Sequence, residues 1–275
     1  MNDKALVNDA MRVLKATSRT FYIPIMFLQK DLKLSVGAAY LVMRALDEIE
    51  DNEDPSITLD MKYDLLLATQ KLLEQDEFDN DAYQAILAPV KDQMPEVTIR
   101  MAEWIEVCPE GSRHIIKRYA AEMAGGMGKW AKANWVIKTR EDLDDYTYYV
   151  AGLVGVMLSD LWEWKHGMVT DRELATDYGR GLQAVNILRN QEEDMDERGV
   201  SFVPDGWTRD DLFAYADEKL ANGDAYIASL DKRTITMFAK LPLALAHKTL
   251  AALKDGREKM TRAEVEATVE EVQNS

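Results

Sequence analysis

Cysteine is nearly absent. Cys108 is the single one in 275 residues, which excludes an internal disulfide framework and fits a reducing compartment. Glycine (14) and proline (7) are sparse, which disfavours a turn-rich all-β fold. Basic residues number 33 against 49 acidic ones, for a formal charge of −16. Phosphate binding along a nucleic acid needs a concentrated basic face, so nucleic acid is not an expected partner. The longest apolar run, Tyr149 to Leu158, holds two glycines and falls short of the roughly 18 residues that a membrane span requires. The chain shows no signal peptide, linker, low-complexity segment or repeat. The expected location is cytoplasmic, peripheral to a membrane at most.

What is present is helical periodicity. Hydrophobic residues make up 47% and charged residues 30%, too apolar for disorder. Apolar faces recur at Leu6, Ala10, Val13 and Leu14, at Leu65, Leu66, Leu72 and Leu73, and at Ile115, Ile116, Tyr119 and Met123. Another runs through Ile235, Met237, Leu241, Leu243, Leu245 and Leu250. Period-2 alternation is nowhere sustained. Prolines fall mostly where a helix should start or stop, and none lies between Pro109 and Pro204, which permits long central helices. The expectation is one all-α domain spanning residues 1–275, with about ten helices around a central cavity.

Two acidic clusters stand out. The first follows the apolar run Val36 to Leu46 and contains Asp47, Glu50 and Asp51. The second contains Asn186, Asn190, Glu193 and Asp194. Spacings of three and four place each set on one helix face. An arginine lies shortly upstream of each, at Arg44 and Arg189. Asn52 to Pro55 should end the first helix and Arg198-Gly199 the second. Carboxylates at a helix C-terminus oppose the dipole by about 0.3–1 kcal/mol each, and like charges at i+4 add to this. A divalent cation compensates such a cluster. Mg²⁺ prefers carboxylate oxygens and shares its coordination with substrate phosphates, so the pair suits a metal-bridged diphosphate. Solvated helix ends in an acid-rich protein are the alternative.

Four segments resemble the squalene/phytoene synthase family. They are Ser18 to Phe21, Tyr40 to Asp51, Tyr146 to Gly155, and Gln183 to Asp194. A weaker fifth is Arg198-Gly199 with Phe202, Val203 and Pro204. The runs Leu41 to Asp47 and Val150 to Gly155 look more like squalene synthases than phytoene synthases. The resemblance implies an all-α isoprenoid (terpenoid) synthase fold and Mg²⁺-dependent head-to-head condensation of two prenyl diphosphates through a cyclopropyl intermediate. In squalene synthases NADPH then reduces the rearranged cation. By position, Asp47, Glu50 and Asp51 match the first metal motif. Asn186, Asn190 and Asp194 match the second, with Gln183 one turn before it. Arg19, Arg44 and Arg189 match diphosphate-contacting arginines, with Ser18 beside them. Tyr146 matches the tyrosine of the first half-reaction and Tyr40 one lining the pocket. Lys259 and Arg262 resemble a basic C-terminal segment implicated in NADPH binding, and with Asn186 they are the cofactor-binding candidates.

Tyr40, Tyr146 and Tyr149 have ring faces that suit a carbocation, although packing alone accounts for Tyr148 and Tyr149. Gly152 and Gly155 permit close helix approach or a kink. Gly125, Gly126 and Gly128 follow no strand and make no dinucleotide fingerprint. His114, His166 and His247 share no ligand spacing. Trp162 and Trp164 read as packing or interface residues. The family usually has aspartate where this chain has Asn190, which removes one charge from the site while keeping a carbonyl oxygen. Before Pro204 the chain is one residue longer than typical members, and Arg198 is the candidate for the arginine of that segment.

Three functions follow. The first is squalene synthesis from two farnesyl diphosphates by way of presqualene diphosphate, with Mg²⁺ and NADPH. The second is a divergent member making phytoene, dehydrosqualene or presqualene diphosphate, or prenylating another acceptor. The third is a catalytically silent binding or scaffold subunit. Oily products would leave by local, transient apolar contact with a membrane, since the net charge opposes binding to anionic lipid. Chain length and oligomeric state are left open.

Overall fold

The structure, a computed structural model, describes residues 4–274, and the side chains of Arg19 and Arg198 lie outside what it describes. The described residues are helical and contain no strand. In chain order the helices are α1 (Lys4–Thr17), α2 (Arg19–Phe27), α3 (Lys30–Glu50), α4 (Leu59–Leu73), α5 (Asn80–Leu87), α6 (Glu96–Ile99) and α7 (Met101–Val107). They continue as α8 (Glu110–Lys132), α9 (Arg140–Thr147), α10 (Leu153–His166), α11 (Arg172–Arg198), α12 (Arg209–Ala228), α13 (Arg233–Lys254) and α14 (Arg262–Gln273). A 3₁₀ turn covers Ala88–Gln93 and a π turn Tyr148–Gly152. Helices outnumber the ten expected because α5, α6, α7 and α9 are pieces of one or two turns, too short for a periodicity to register. Pro95 and Pro109 start α6 and α8 as expected, whereas Pro24 and Pro242 lie inside α2 and α13. There each removes one i→i−4 hydrogen bond.

The chain divides into two compact units. One holds residues 1–22 and 29–135, the other residues 23–28 and 136–275. In the first, α3 is the central element and packs on α1, α6, α7 and α8, while α4 lies along α8. Leu32, Leu41, Val42, Ala45, Leu46 and Ile49 are fully buried along α3, which makes it an internal helix with a charged end. Thr98 of α6 donates to the Ala45 carbonyl at 3.1 Å, and the Tyr83 hydroxyl donates to the Thr98 carbonyl at 2.8 Å. These bonds tie the short helices to α3 shortly before its acidic turn.

In the second unit α11 is the hub, packing on α9, α10, the π turn, α12 and α13. Two glycines explain how close these elements come. A Cβ on Gly155 would sit 1.8 Å from the Ala175 carbonyl oxygen, and one on Gly179 would sit 2.2 Å from that of Ala151. Backbone therefore rests directly on backbone where α10 and the π turn meet α11, the close approach expected for Gly155. The C-terminus of α11 closes with Gly199 at φ 64°. The Val200 N–H donates to the Asp194 carbonyl at 3.2 Å and the Gly199 N–H to Met195 at 3.1 Å, a left-handed cap that glycine adopts without strain.

Candidate active site

The first acidic motif occupies the last turn of α3, where the sequence predicts the helix to end. Asp51 is the C-cap, its N–H donating to the Asp47 carbonyl at 2.8 Å. Asp51 is close enough to Asp47 that its charge disfavours the ionised Asp47. Asp47 keeps 34% of its side-chain exposure, yet surrounding protein atoms desolvate it. That burial, followed by the Asp51 charge, pushes its carboxyl up to about 8 against the opposing pull of Arg44. Arg44 donates to Glu48 Oε1 at 2.5 Å and lies 3.9 Å from Asp47, and its buried Nε has no hydrogen-bond partner among the described residues. The Tyr40 hydroxyl donates to the Thr17 carbonyl at 3.4 Å, and its ring tilts against Phe21 at 5.9 Å. Burial raises the Tyr40 phenol. Ser18 accepts the Phe21 N–H at 2.9 Å and so starts α2, a capping role that its place beside Arg19 does not reveal. The Arg19 side chain lies outside the described residues.

Glu50 differs from its two neighbours. It is 3% exposed, and its Oε1 accepts the indole N–H of Trp135 at 2.7 Å. Its main-chain carbonyl accepts Lys62 Nζ at 2.6 Å. Lys62, 6% exposed, also lies 5.4 Å from the centre of the Trp135 ring. Asn134 and Trp135 have left-handed backbones, with φ of 52° and 49°. Asparagine tolerates this, but for a bulky side chain it is an outlier, costing on the order of 1–3 kcal/mol. No spacing links residues 50, 62 and 135, so sequence reasoning had no means of finding this trio.

The second motif forms a stripe along the C-terminal half of α11. Asn186 is exposed, and Asn190 and Asp194 are half-buried. Arg189 Nε donates to Asn190 Oδ1 at 3.1 Å. Gln183 is half-buried one turn earlier, and Arg189 is exposed. Tyr146, 5% exposed, stacks on Phe202 at 4.7 Å with ring planes 16° apart. Tyr149 sits in the π turn with its ring edge-on to Tyr148 at 5.3 Å. Such turns inside helices are frequent at functional sites.

A polar cluster that the sequence did not announce supports this region. The Tyr215 hydroxyl donates to Asp144 Oδ1 at 2.7 Å, and Arg180 donates through Nε and Nη2 to the Asp144 carbonyl at 3.1 and 2.9 Å. Lys219 lies 3.1 Å from Asp177. It binds α9, α11 and α12 around the base of the Tyr146 turn. Lys259 and Arg262 are exposed, the latter paired with Glu266 at 2.8 Å at the start of α14. The Arg198 side chain lies outside what the structure describes.

Among the described residues, no group of three or more His, Cys, Asp or Glu side chains is arranged to hold a metal ion. The donor set nonetheless fits magnesium, which rarely takes a complete protein cage. Asp47 and Asp51 are two adjacent carboxylates whose mutual repulsion a divalent cation would relieve.

The described residues, helical and without a strand, share with the solved structure below an all-α isoprenoid synthase fold. The structure of TcSQS in complex with the ligand BPH1237 superposes with a TM-score of 0.80 at 23% identity, covering 98% of this chain and 86% of that one. The squalene/phytoene synthase family model matches residues 14–212, and the chain belongs to that family. Squalene synthase of Schizosaccharomyces pombe is 27% identical over 274 residues, 88% of this chain and 58% of that protein. Squalene synthase 1 of Arabidopsis thaliana is 32% identical over 209 residues, 75% of this chain and 48% of that protein. The chain thus spans about half to three-fifths of the length of these curated relatives.

Proposed function

We propose that this protein condenses two farnesyl diphosphates head to head, by way of presqualene diphosphate, and reduces the product to squalene with NADPH. The observation that carries the proposal is the Asp47/Asp51 pair closing α3, with Arg44 3.9 Å from Asp47. Asp47 and Asp51 would hold magnesium, and Asn186, Asn190 and Asp194 on α11 offer further oxygen ligands. Bound there, magnesium supplies positive charge that neutralises a departing diphosphate.

The chain's own residues account for the remaining steps. Arg44 and Arg189 offer planar forks to phosphate oxygens. Loss of diphosphate leaves an allylic cation that water would destroy, so the surrounding wall must be apolar and aromatic. Tyr40, Tyr146 and Tyr149 supply ring faces. Tyr146 is fixed by its stack on Phe202, which suits a phenol placed to manage the proton lost as the cyclopropane closes. NADPH would meet the basic segment of Lys259 and Arg262. Among the described residues, no helix is long and apolar enough to cross a membrane, so contact with lipid for product release would be local.

Asn190 favours a second reading, in which the reaction stops before reduction. Its neutral oxygen already accepts from Arg189, and it gives the second motif one charge fewer than aspartate would. Product analysis by gas chromatography–mass spectrometry with farnesyl diphosphate and Mg²⁺, with and without NADPH, separates the two. NADPH-dependent squalene from the natural chain supports the first reading. Squalene from Asn190→Asp alone supports the second.

A further inference from the structure

The three acidic side chains of the first motif, Asp47, Glu50 and Asp51, do not share one role. Asp47 and Asp51 reach solvent, whereas Glu50 is buried in the first unit with two partners from distant segments. Two of its groups are engaged. The carboxylate accepts the Trp135 indole N–H, and the main-chain carbonyl, one of the orphan acceptors at the end of a helix, accepts the Lys62 ammonium. Lys62 belongs to α4 and Trp135 follows the end of α8, so two separate elements grip the same turn.

Packing alone does not call for this arrangement. A buried charged or polar network is a weak source of stability compared with apolar side chains of similar volume. The turn it grips is one that should fray, because the carboxylates of Asp47, Glu48, Glu50 and Asp51 repel one another and oppose the helix dipole. The grip also relies on a tryptophan in a left-handed backbone. Strain of that kind persists where the surroundings over-determine it, and it clusters at functional sites.

We propose that Trp135, together with Lys62, is a positioning residue for the first acidic motif: by holding Glu50 inside the unit it fixes the last turn of α3 so that Asp47 and Asp51 present their oxygens together. Glu50 then acts as an anchor and not as a metal ligand. The inference rests on the reading of Asp47 and Asp51 as the magnesium pair.

The test is binding of Mn²⁺ in the presence of inorganic pyrophosphate, followed by the electron paramagnetic resonance signal of free Mn²⁺, with helix content and melting temperature measured for each full-length variant. Trp135→Phe keeps an aromatic ring and deletes the donor. It is expected to weaken Mn²⁺ binding about 10-fold, as loss of a group that orients a metal ligand typically does, while helix content stays unchanged. Glu50→Gln keeps an oxygen for the indole and should lose clearly less than Glu50→Ala. If Glu50→Gln binds as poorly as Glu50→Ala, the charge of Glu50 acts directly and the positioning role is overturned. If Asp47→Asn loses binding and Trp135→Phe does not, the inference fails while the metal reading stands. If Asp47→Asn binds like the natural chain, the metal reading fails and takes the inference with it.

Discussion

Replacing Gly155 by alanine places one methyl group against backbone that cannot yield locally. The new Cβ would lie 1.8 Å from the Ala175 carbonyl oxygen and 2.7 Å from its carbon. Ordinary contact begins near about 3.5 Å, so α10 and α11 must separate by roughly 1.5 Å where they are packed backbone to backbone. Overpacking of a core costs about 1–3 kcal/mol, and more where relaxation is blocked. Alanine returns about 1 kcal/mol through helix propensity. A net loss of about 3 kcal/mol is expected because the obstacle is main chain and the Gly179 contact lies nearby. For a chain of this size that lowers the melting temperature by roughly 6–12 °C. Gly128 is the control. Its added Cβ would meet Leu66 Cβ at 3.5 Å, an ordinary contact, so Gly128→Ala should gain up to about 1 kcal/mol from propensity alone. Thermal melts followed at 222 nm give both values. Equal shifts for the two variants, or a Gly155→Ala melt within a degree of the natural chain, would refute the argument.

Much of this could be read from the residues in order. The end of α3 at Glu50 and the left-handed Gly199 after α11 follow from charge, proline and glycine placement. The close-packing role of Gly155 follows from a glycine set in an apolar helix. What stayed hidden depends on contacts between distant segments. Spacing puts Asp47, Glu50 and Asp51 on one broad helix face, but it does not say where the core begins on that face. Only the approach of Trp135, 85 residues away, shows that Glu50 lies on the buried side. The Asp144–Arg180–Tyr215 cluster was hidden for the same reason. The prolines inside α2 and α13 show tertiary burial overriding a local break signal.

Three further outcomes are expected. Asp47→Ala should reduce turnover of a prenyl diphosphate by about 100-fold or more while the helical circular dichroism is unchanged; retained activity would remove Asp47 from the site. The Thr261 backbone N–H and hydroxyl, with Arg257, hold the Glu264 carboxyl down to about 2. Its contribution to capping α14 is therefore present above the ordinary carboxylate range and lost as pH falls from about 4.5 towards 2. The protection of amides 265–273 relative to their intrinsic exchange rates should fall across that window and lose this dependence in Glu264→Gln. Burial pushes the Cys108 thiol up to about 12, so a disulfide reagent at pH 8 should label it only after denaturation; prompt labelling of the native protein would contradict its placement in the core.

In the function proposed above, the Asp47/Asp51 pair at the end of α3 holds a divalent cation that a prenyl diphosphate shares. Release of pyrophosphate from farnesyl diphosphate, followed with and without Mg²⁺ and again after chelation by EDTA, tests it most directly. The expected release requires Mg²⁺, stops with EDTA, returns when Mg²⁺ is restored, and is lost in Asp47→Ala. Release that is indifferent to the metal, or none from a folded protein supplied with both substrate and Mg²⁺, would contradict it.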